Sequence, residues 1–401
     1  MTFSGTTPIP LVRKMAKQQS PFSQDEYLSR IQAVKAKMDE NAVDCFLVNE
    51  GGNICYLSGY AAESDYVAQG LILYGDETFP SLVLRKQDGP AGMFTSFMPN
   101  EYVIDYPEEY IGSYTSSGFD FMLERITSQK KMKRIGLEFD SISAATLASL
   151  QRRHPNIEFV DMSGTIIWIR IVKSPAEIQV QREAMAITDR AFMEMPKLFR
   201  IGRRENEVAA DITAHLIAGT PELAGSVPDT VLIPGGNLSG TSHVPWTDRE
   251  IVAGRHYNPE YGASRYSYSV GLMRSLSMGK PSDRLADLYK YMIEGCNEAL
   301  SVFKPGTPCS AVAQRYCAVL NKGGYSKDSR CGYPIGINWL EDSCSLRVDD
   351  PTIMQENMVF HLMLGTWIDE DFGAVISETI ALTKDGCEVL SNVPRELMIV
   401  D

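Results

Sequence analysis

Apolar residues follow two rhythms along this chain. After Ser23-Gln24-Asp25-Glu26, where a serine and a glutamate three positions on can cap a helix start, Leu28, Ile31, Ala36 and Met38 recur at roughly helical spacing. Short strand signals then take over. Cys45-Phe46-Leu47-Val48 and similar stretches at 70–74, 81–84, 135–138 and 157–160 predict buried strands, with a helical pattern at 143–152 between the last two. Strands alternating with helices in this way predict a three-layer α/β domain.

A second unit opens at Lys173-Ser174-Pro175-Ala176-Glu177. Serine at the cap, proline in the first turn and glutamate three residues after the cap are three separate start signals, predicting a long helix that ends near Met195, before Pro196. Further helices are expected at 205–217, 284–303 and 309–321. Residues 256–278, rich in Tyr and Ser, read as one long hairpin. Segments 358–366 and 374–383 read as paired strands, and Lys384-Asp385-Gly386 turns the chain into 388–390. The organisation expected is therefore an N-terminal arm at 1–20, an α/β domain at 21–165 and an α+β domain at 166–401.

Composition narrows the class. The 401 residues are 44% hydrophobic, enough for large cores without disulfides. A formal charge of −13 disfavours nucleic acid as a partner. No apolar run reaches the roughly 18–20 residues of a membrane helix, and the N-terminus lacks the apolar core of a secretion signal, so the expectation is no membrane partner and a cytoplasmic location. The eight cysteines contain no C-x-x-C pair and read as reduced, buried small hydrophobes. Walker, dinucleotide and G-x-S-x-G motifs are missing.

Chemistry then rests on scarce residues. Of five histidines, His154 and His215 sit in helical contexts. His243 lies in Ser242-His243-Val244-Pro245-Trp246, where Pro and Trp are expected to fix the backbone and shield the ring. His256 starts the hairpin, and His361 stands mid-strand in Val359-Phe360-His361-Leu362-Met363, where an imidazole must find a partner or stay neutral. Glu260 and Glu378 also fall inside predicted strands, and a buried carboxyl has the raised pKa that suits an acid or base. Arg274 and Arg347 are candidate partners for these glutamates or for a substrate carboxylate.

The K-S-P-A-E-I helix start, the Ser-His-x-Pro loop, the step from His243 to Gly254 and the hairpin ending Leu272-Met273-Arg274-Ser275 resemble the creatinase/aminopeptidase P family, family M24. Segments 327–336, 345–347, 360–367, 376–379 and 391–395 look most like its ectoine hydrolase branch. The resemblance implies a creatinase-like α/β N-terminal domain followed by an α+β pita-bread catalytic domain, and a homodimer.

It also implies a site. Metallopeptidase members hold two metal ions at positions that match Glu260, Gly271, Tyr333, Met363 and Glu378. Glycine has no side chain, methionine is too soft and neutral tyrosine is a rare ligand, so no catalytic metal and no other cofactor is expected. His243 falls on the catalytic histidine of creatinase. Glu260, Glu378 and His243 together would supply a nucleophile, a base and an acid.

The expected reaction is metal-independent hydrolysis of a non-peptide C–N bond in a small zwitterion, such as ring opening of a cyclic amidine to an N-acetyl diamino acid. Glu260 would attack the amidinium carbon, with transient covalent bonding, Glu378 would manage protons and His243 would protonate the departing nitrogen. Arg347 or Arg330 would hold the substrate carboxylate, and His361, Tyr333 and Trp367 would line the pocket. Glu63 and Asp65 lie in a segment that, in the dimers of this family, approaches the partner's site; they would favour additional positive charge. The alternatives are a creatinase-like amidinohydrolase, disfavoured because creatinase carries a glutamate at the place of Met273, and a non-catalytic pita-bread binding module.

Overall fold

The strand-forming runs of the first half assemble into one sheet. In the computed structural model, which describes residues 17–61, 64, 66–112 and 116–401, the chain divides into two compact units after Ile169. In the first unit the strands are Cys45–Val48 (β1), Gly70–Tyr74 (β2), Ser81–Arg85 (β3), Val103–Tyr106 (β4), Arg134–Leu137 (β5) and Glu158–Asp161 (β6), in the order β4-β3-β2-β1-β5-β6. The layers follow from side-chain alternation. Leu82 and Leu84 face the helix Gly89–Thr95, whose Gly92 lies so close that a Cβ there would meet Leu84, Val103 and Leu82 at 2.6–3.2 Å. Val83, between them, shares a core on the other face with Met122, Leu123, Ile126 and Leu150. Strand β4 lacked an apolar run and was invisible to the pattern. The end of the expected arm is tied down, since Phe22 is buried and Gln18 N–H donates to Phe94 O at 2.7 Å.

The second unit opens on the helix Pro175–Leu198, capped reciprocally by Ser174 and Glu177. It runs past Pro196 rather than stopping before it. A proline in the last turn forfeits one hydrogen bond, and Phe199 N–H still reaches Met195 O at 3.4 Å. Residues 256–278 form the expected hairpin in a single register, with His256↔Ser277, Tyr257↔Leu276, Glu260↔Met273, Tyr261↔Leu272 and Arg265↔Tyr268 opposed. Tyr266 and Ser267 close it with φ of +47° and +69°, the left-handed pair that a tight two-residue hairpin turn demands. Beside it lies a four-stranded sheet of Tyr333–Pro334, Val359–Met363, Ser377–Leu382 and Cys387–Val389. The helices Glu205–Ala218, Asp283–Leu300 and Cys309–Lys322 complete the unit.

Candidate active site

Hairpin and sheet together build a cavity of about 170 Å³. Strand alternation puts Glu260, Gly262, Gly271 and Met273 on one face of the hairpin. Glu260 is fixed on its other edge by paired backbone bonds to Leu232, each 2.9 Å. Its carboxyl forms the cavity floor with Tyr333 and Trp339, while Asp229, His243 and Arg330 stand at the rim. Glu260 is 8% exposed and its carboxyl receives no hydrogen bond from any described residue. Burial, with a smaller contribution from Asp229, pushes it up to about 7. Trp339 Nε1–H donates to Tyr333 Oη at 3.0 Å, and the Arg330 guanidinium lies 4.6 Å from the centre of the Tyr333 ring.

The segment presenting Tyr333 and Trp339 is anchored from beneath. Glu341 N–H donates to Pro334 O at 2.9 Å, and Glu341 Oε2 accepts from Arg170 Nε at 2.5 Å with both side chains 1% exposed. Lys173 is buried beside them, its ammonium disfavoured by desolvation and supported by Glu341 and Glu177. Gly336 leaves the room: a Cβ there would collide with Glu341 and Lys173.

Behind the floor stands His361. Its Nε2 is 2.9 Å from Ser377 Oγ, and its ring meets Tyr333 and Trp339 edge-on, at centroid distances of 5.6 and 5.7 Å. Complete burial holds the imidazole neutral, with its pKa down to about 3. A Cβ built on Gly271 would lie 2.9 Å from His361 Cε1, 3.0 Å from Nδ1 and 3.0 Å from Trp339 Cζ2. The space beside Gly271 is therefore filled.

The structure thus gathers Glu260, His243, Arg330 and Tyr333, with His361 one layer behind. Glu378 is elsewhere. It opposes Leu362 across the sheet, so it shares the face of Leu362 and not that of His361. Its carboxylate is engaged by Arg274 Nη2 at 2.7 Å and Arg395 at 3.6 Å. Burial raises its pKa while the two guanidiniums oppose the rise. The three-residue set expected from the sequence is therefore split by one register step. Arg347 pairs with Asp349 in a neighbouring open trough of about 530 Å³ that shares Arg330 with the cavity. Trp367 packs against Gly365 and lies 5.1 Å from Lys327 Nζ, away from the cavity. The His243 ring is exposed rather than shielded, with Ser242 Oγ 3.4 Å from its Nδ1. His256 is structural, its Nε2 2.8 Å from Gly373 O. Glu63 and Asp65 lie outside the described residues. Asp229 and Trp339 were missed; both sit in loops, where neither period nor strand context marks them.

The residues present do not fit a dinuclear metal centre. At the five positions, Gly271 offers no donor and no room for one, Glu378 is held by arginines on the other face, Met363 offers only a soft thioether, and Tyr333 offers a phenol that burial keeps neutral. Among the described residues no group of three or more His, Cys, Asp and Glu side chains is arranged to hold a metal ion.

A hairpin-and-sheet unit that follows a separate α/β unit in the chain, with a buried carboxyl at the floor of a small polar cavity, defines the class of pita-bread hydrolases. The chain belongs to metallopeptidase family M24, whose profile matches residues 179–384, and residues 30–172 match the creatinase/prolidase N-terminal domain. It is 39% identical to the uncharacterized hydrolase/peptidase y4tL of Sinorhizobium fredii, over 94% of this chain and 98% of that protein. It is 29% identical to the ectoine hydrolase of Halomonas elongata, over 94% and 98%. The likeness to ectoine hydrolase is thus real but exceeded by that to y4tL. The prolidase of Thermococcus sibiricus has the same fold, with a TM-score of 0.83 at 20% identity, over 94% of this chain and all of that one. Among the described residues no helix is long and apolar enough to cross a membrane.

Proposed function

We propose that this chain hydrolyses a non-peptide C–N bond of a small zwitterion, with a cyclic amidine of the ectoine type as the leading substrate, and does so without a metal. The observation that carries the reading is Glu260, a nearly buried and unpartnered carboxyl poised near neutrality on the floor of a cavity whose rim carries His243 and Arg330. A 29% identical relative named for ectoine supports the substrate class.

In this mechanism ionised Glu260 takes a proton from water as the water oxygen bonds to the amidinium carbon. The tetrahedral adduct then breaks one ring C–N bond. His243, at the rim, gives its proton to the departing nitrogen and takes one back from the adduct hydroxyl as the remaining nitrogen becomes an amide, and the freed amine then takes the proton held by Glu260, which returns the site to its starting state. Tyr333, polarised by Trp339 and Arg330, orients the adduct. Arg330 holds the substrate carboxylate, a role for which it is better placed than Arg347, whose fork is occupied by Asp349.

The test is incubation of the protein with ectoine, hydroxyectoine, creatine and an Xaa-Pro dipeptide, with mass-spectrometric detection of products and with and without chelator. Chelator-insensitive ring opening of ectoine or a related amidine, abolished in Glu260→Gln, supports the proposal. Chelator-sensitive dipeptide cleavage, or full activity in Glu260→Gln, refutes it.

A further inference from the structure

Asp229 and Arg330 come from different segments and meet at one rim. Asp229 Oδ1 accepts from Thr230 N–H at 2.6 Å, and Arg330 lies over Tyr333; neither forms an ion pair with any described residue. Beneath them Glu260 is more than nine-tenths buried, unpartnered and directed into the same space. A purely anionic ligand would meet repulsion from Asp229, and a purely cationic one would leave Arg330 unmatched beside it. A ligand carrying both charges matches the rim without leaving either ion alone.

We infer that Asp229 is the specificity-determining residue of this cavity, its carboxylate receiving the amidinium or guanidinium group of a zwitterion whose carboxylate faces Arg330. The inference rests on the proposed hydrolase reading and extends it. It transfers to Asp229 the selection for positive charge that the sequence had led one to expect of Glu63 and Asp65. Asp229 also acts on the floor: its negative charge makes ionisation of Glu260 harder until a cationic group arrives between them. The groups facing Glu260 are Asp229, His243, Arg330 and Tyr333, and of these Asp229 alone is a second carboxylate.

The experiment measures calorimetric binding of ectoine, creatine and pyroglutamate to the wild-type protein, Asp229→Asn and Asp229→Glu. Pyroglutamate is a ring of similar size with a carboxylate and no cation. Asp229→Asn should weaken ectoine or creatine by about five- to tenfold and leave pyroglutamate unchanged or tighter, and Asp229→Glu should restore part of the preference. Equal changes for all three probes, an unchanged affinity for the cationic ones, or a wild type that binds neither zwitterion better than pyroglutamate overturns the inference. A second readout needs no substrate. The carboxyl titration of Glu260, followed by carbon-13 NMR, should move to lower pH in Asp229→Asn, and an unmoved midpoint overturns the pairing. Failure of all C–N turnover with charge selectivity intact would sink the hydrolase reading instead.

Discussion

Glu378→Gln separates a structural glutamate from a catalytic one. The substitution keeps shape and removes charge from a group 1% exposed, leaving Arg274, 0% exposed, without its only close counter-ion among the described residues. Arg274 otherwise spends its donors on main-chain carbonyls: Nε on Pro394 O at 2.8 Å, Nη1 on Met273 O at 2.8 Å and Ser377 O at 2.5 Å, and Nη2 on Val393 O at 2.8 Å. With Glu378, all five N–H groups are used. Losing one charge-assisted bond costs about 1.5–3 kcal/mol, and stripping a buried ion of its partner costs about 3–5. The surviving carbonyls favour the lower part of that range, so a loss of about 3 kcal/mol is expected. For a unit of this size that lowers the melting temperature by roughly 6–12 °C. The assay is thermal unfolding at pH 8, which favours the ionised carboxylate, with turnover measured at low temperature on the folded fraction. Melting should fall while turnover per folded molecule survives. An unchanged melting temperature with turnover abolished would refute the reasoning and return Glu378 to the chemistry.

Glu260 makes the opposite pH prediction from a salt-bridged acid. Its folded pKa is raised from 4.5 to about 7, so its contribution to stability is present below the unfolded pKa and lost as pH rises through 7. Glu260→Gln should therefore gain on wild type between pH 5 and 8, by up to about 3 kcal/mol, in urea denaturation at the two pH values; a pH-independent difference would contradict the burial. Gly271→Ala should cost about 1–3 kcal/mol, because the new methyl meets His361 and Trp339, and chemical denaturation would detect it. Glu341→Ala should cost about 3–5 kcal/mol by removing the carboxylate that Arg170 Nε donates to and one of the two carboxylates that support Lys173, and Trp339 fluorescence should report loosening of the floor.

What the sequence revealed depended on how local the signal was. Short apolar-rich stretches marked five of the six strands of the first sheet, while Val103–Tyr106 did not announce itself. The hairpin was legible in full, and a carboxyl inside it flagged Glu260. The same rule flagged Glu378, with a different outcome. Which face a strand residue takes is decided by pairing register, and a shift of one position exchanges the faces. The pairing Leu362↔Glu378 is a long-range fact that neither strand carries alone. Asp229 resembled any turn aspartate in Pro228-Asp229-Thr230, and it gains meaning only from the backbone bridge that brings its loop against Glu260.

The filled space beside Gly271 works as a ratchet. A carboxylate reintroduced at 271 would meet an imidazole and an indole before any ion, and Tyr333, edge-on to the same imidazole and hydrogen-bonded to the same indole, shares their packing. The intermediate steps towards a ligand set would each lose stability before the last of them gained an ion to offset the loss. Whatever chemistry this floor performs, selection or engineering that aims at a different one must first hollow out His361 and Trp339, and only then change the residues that would do the new work.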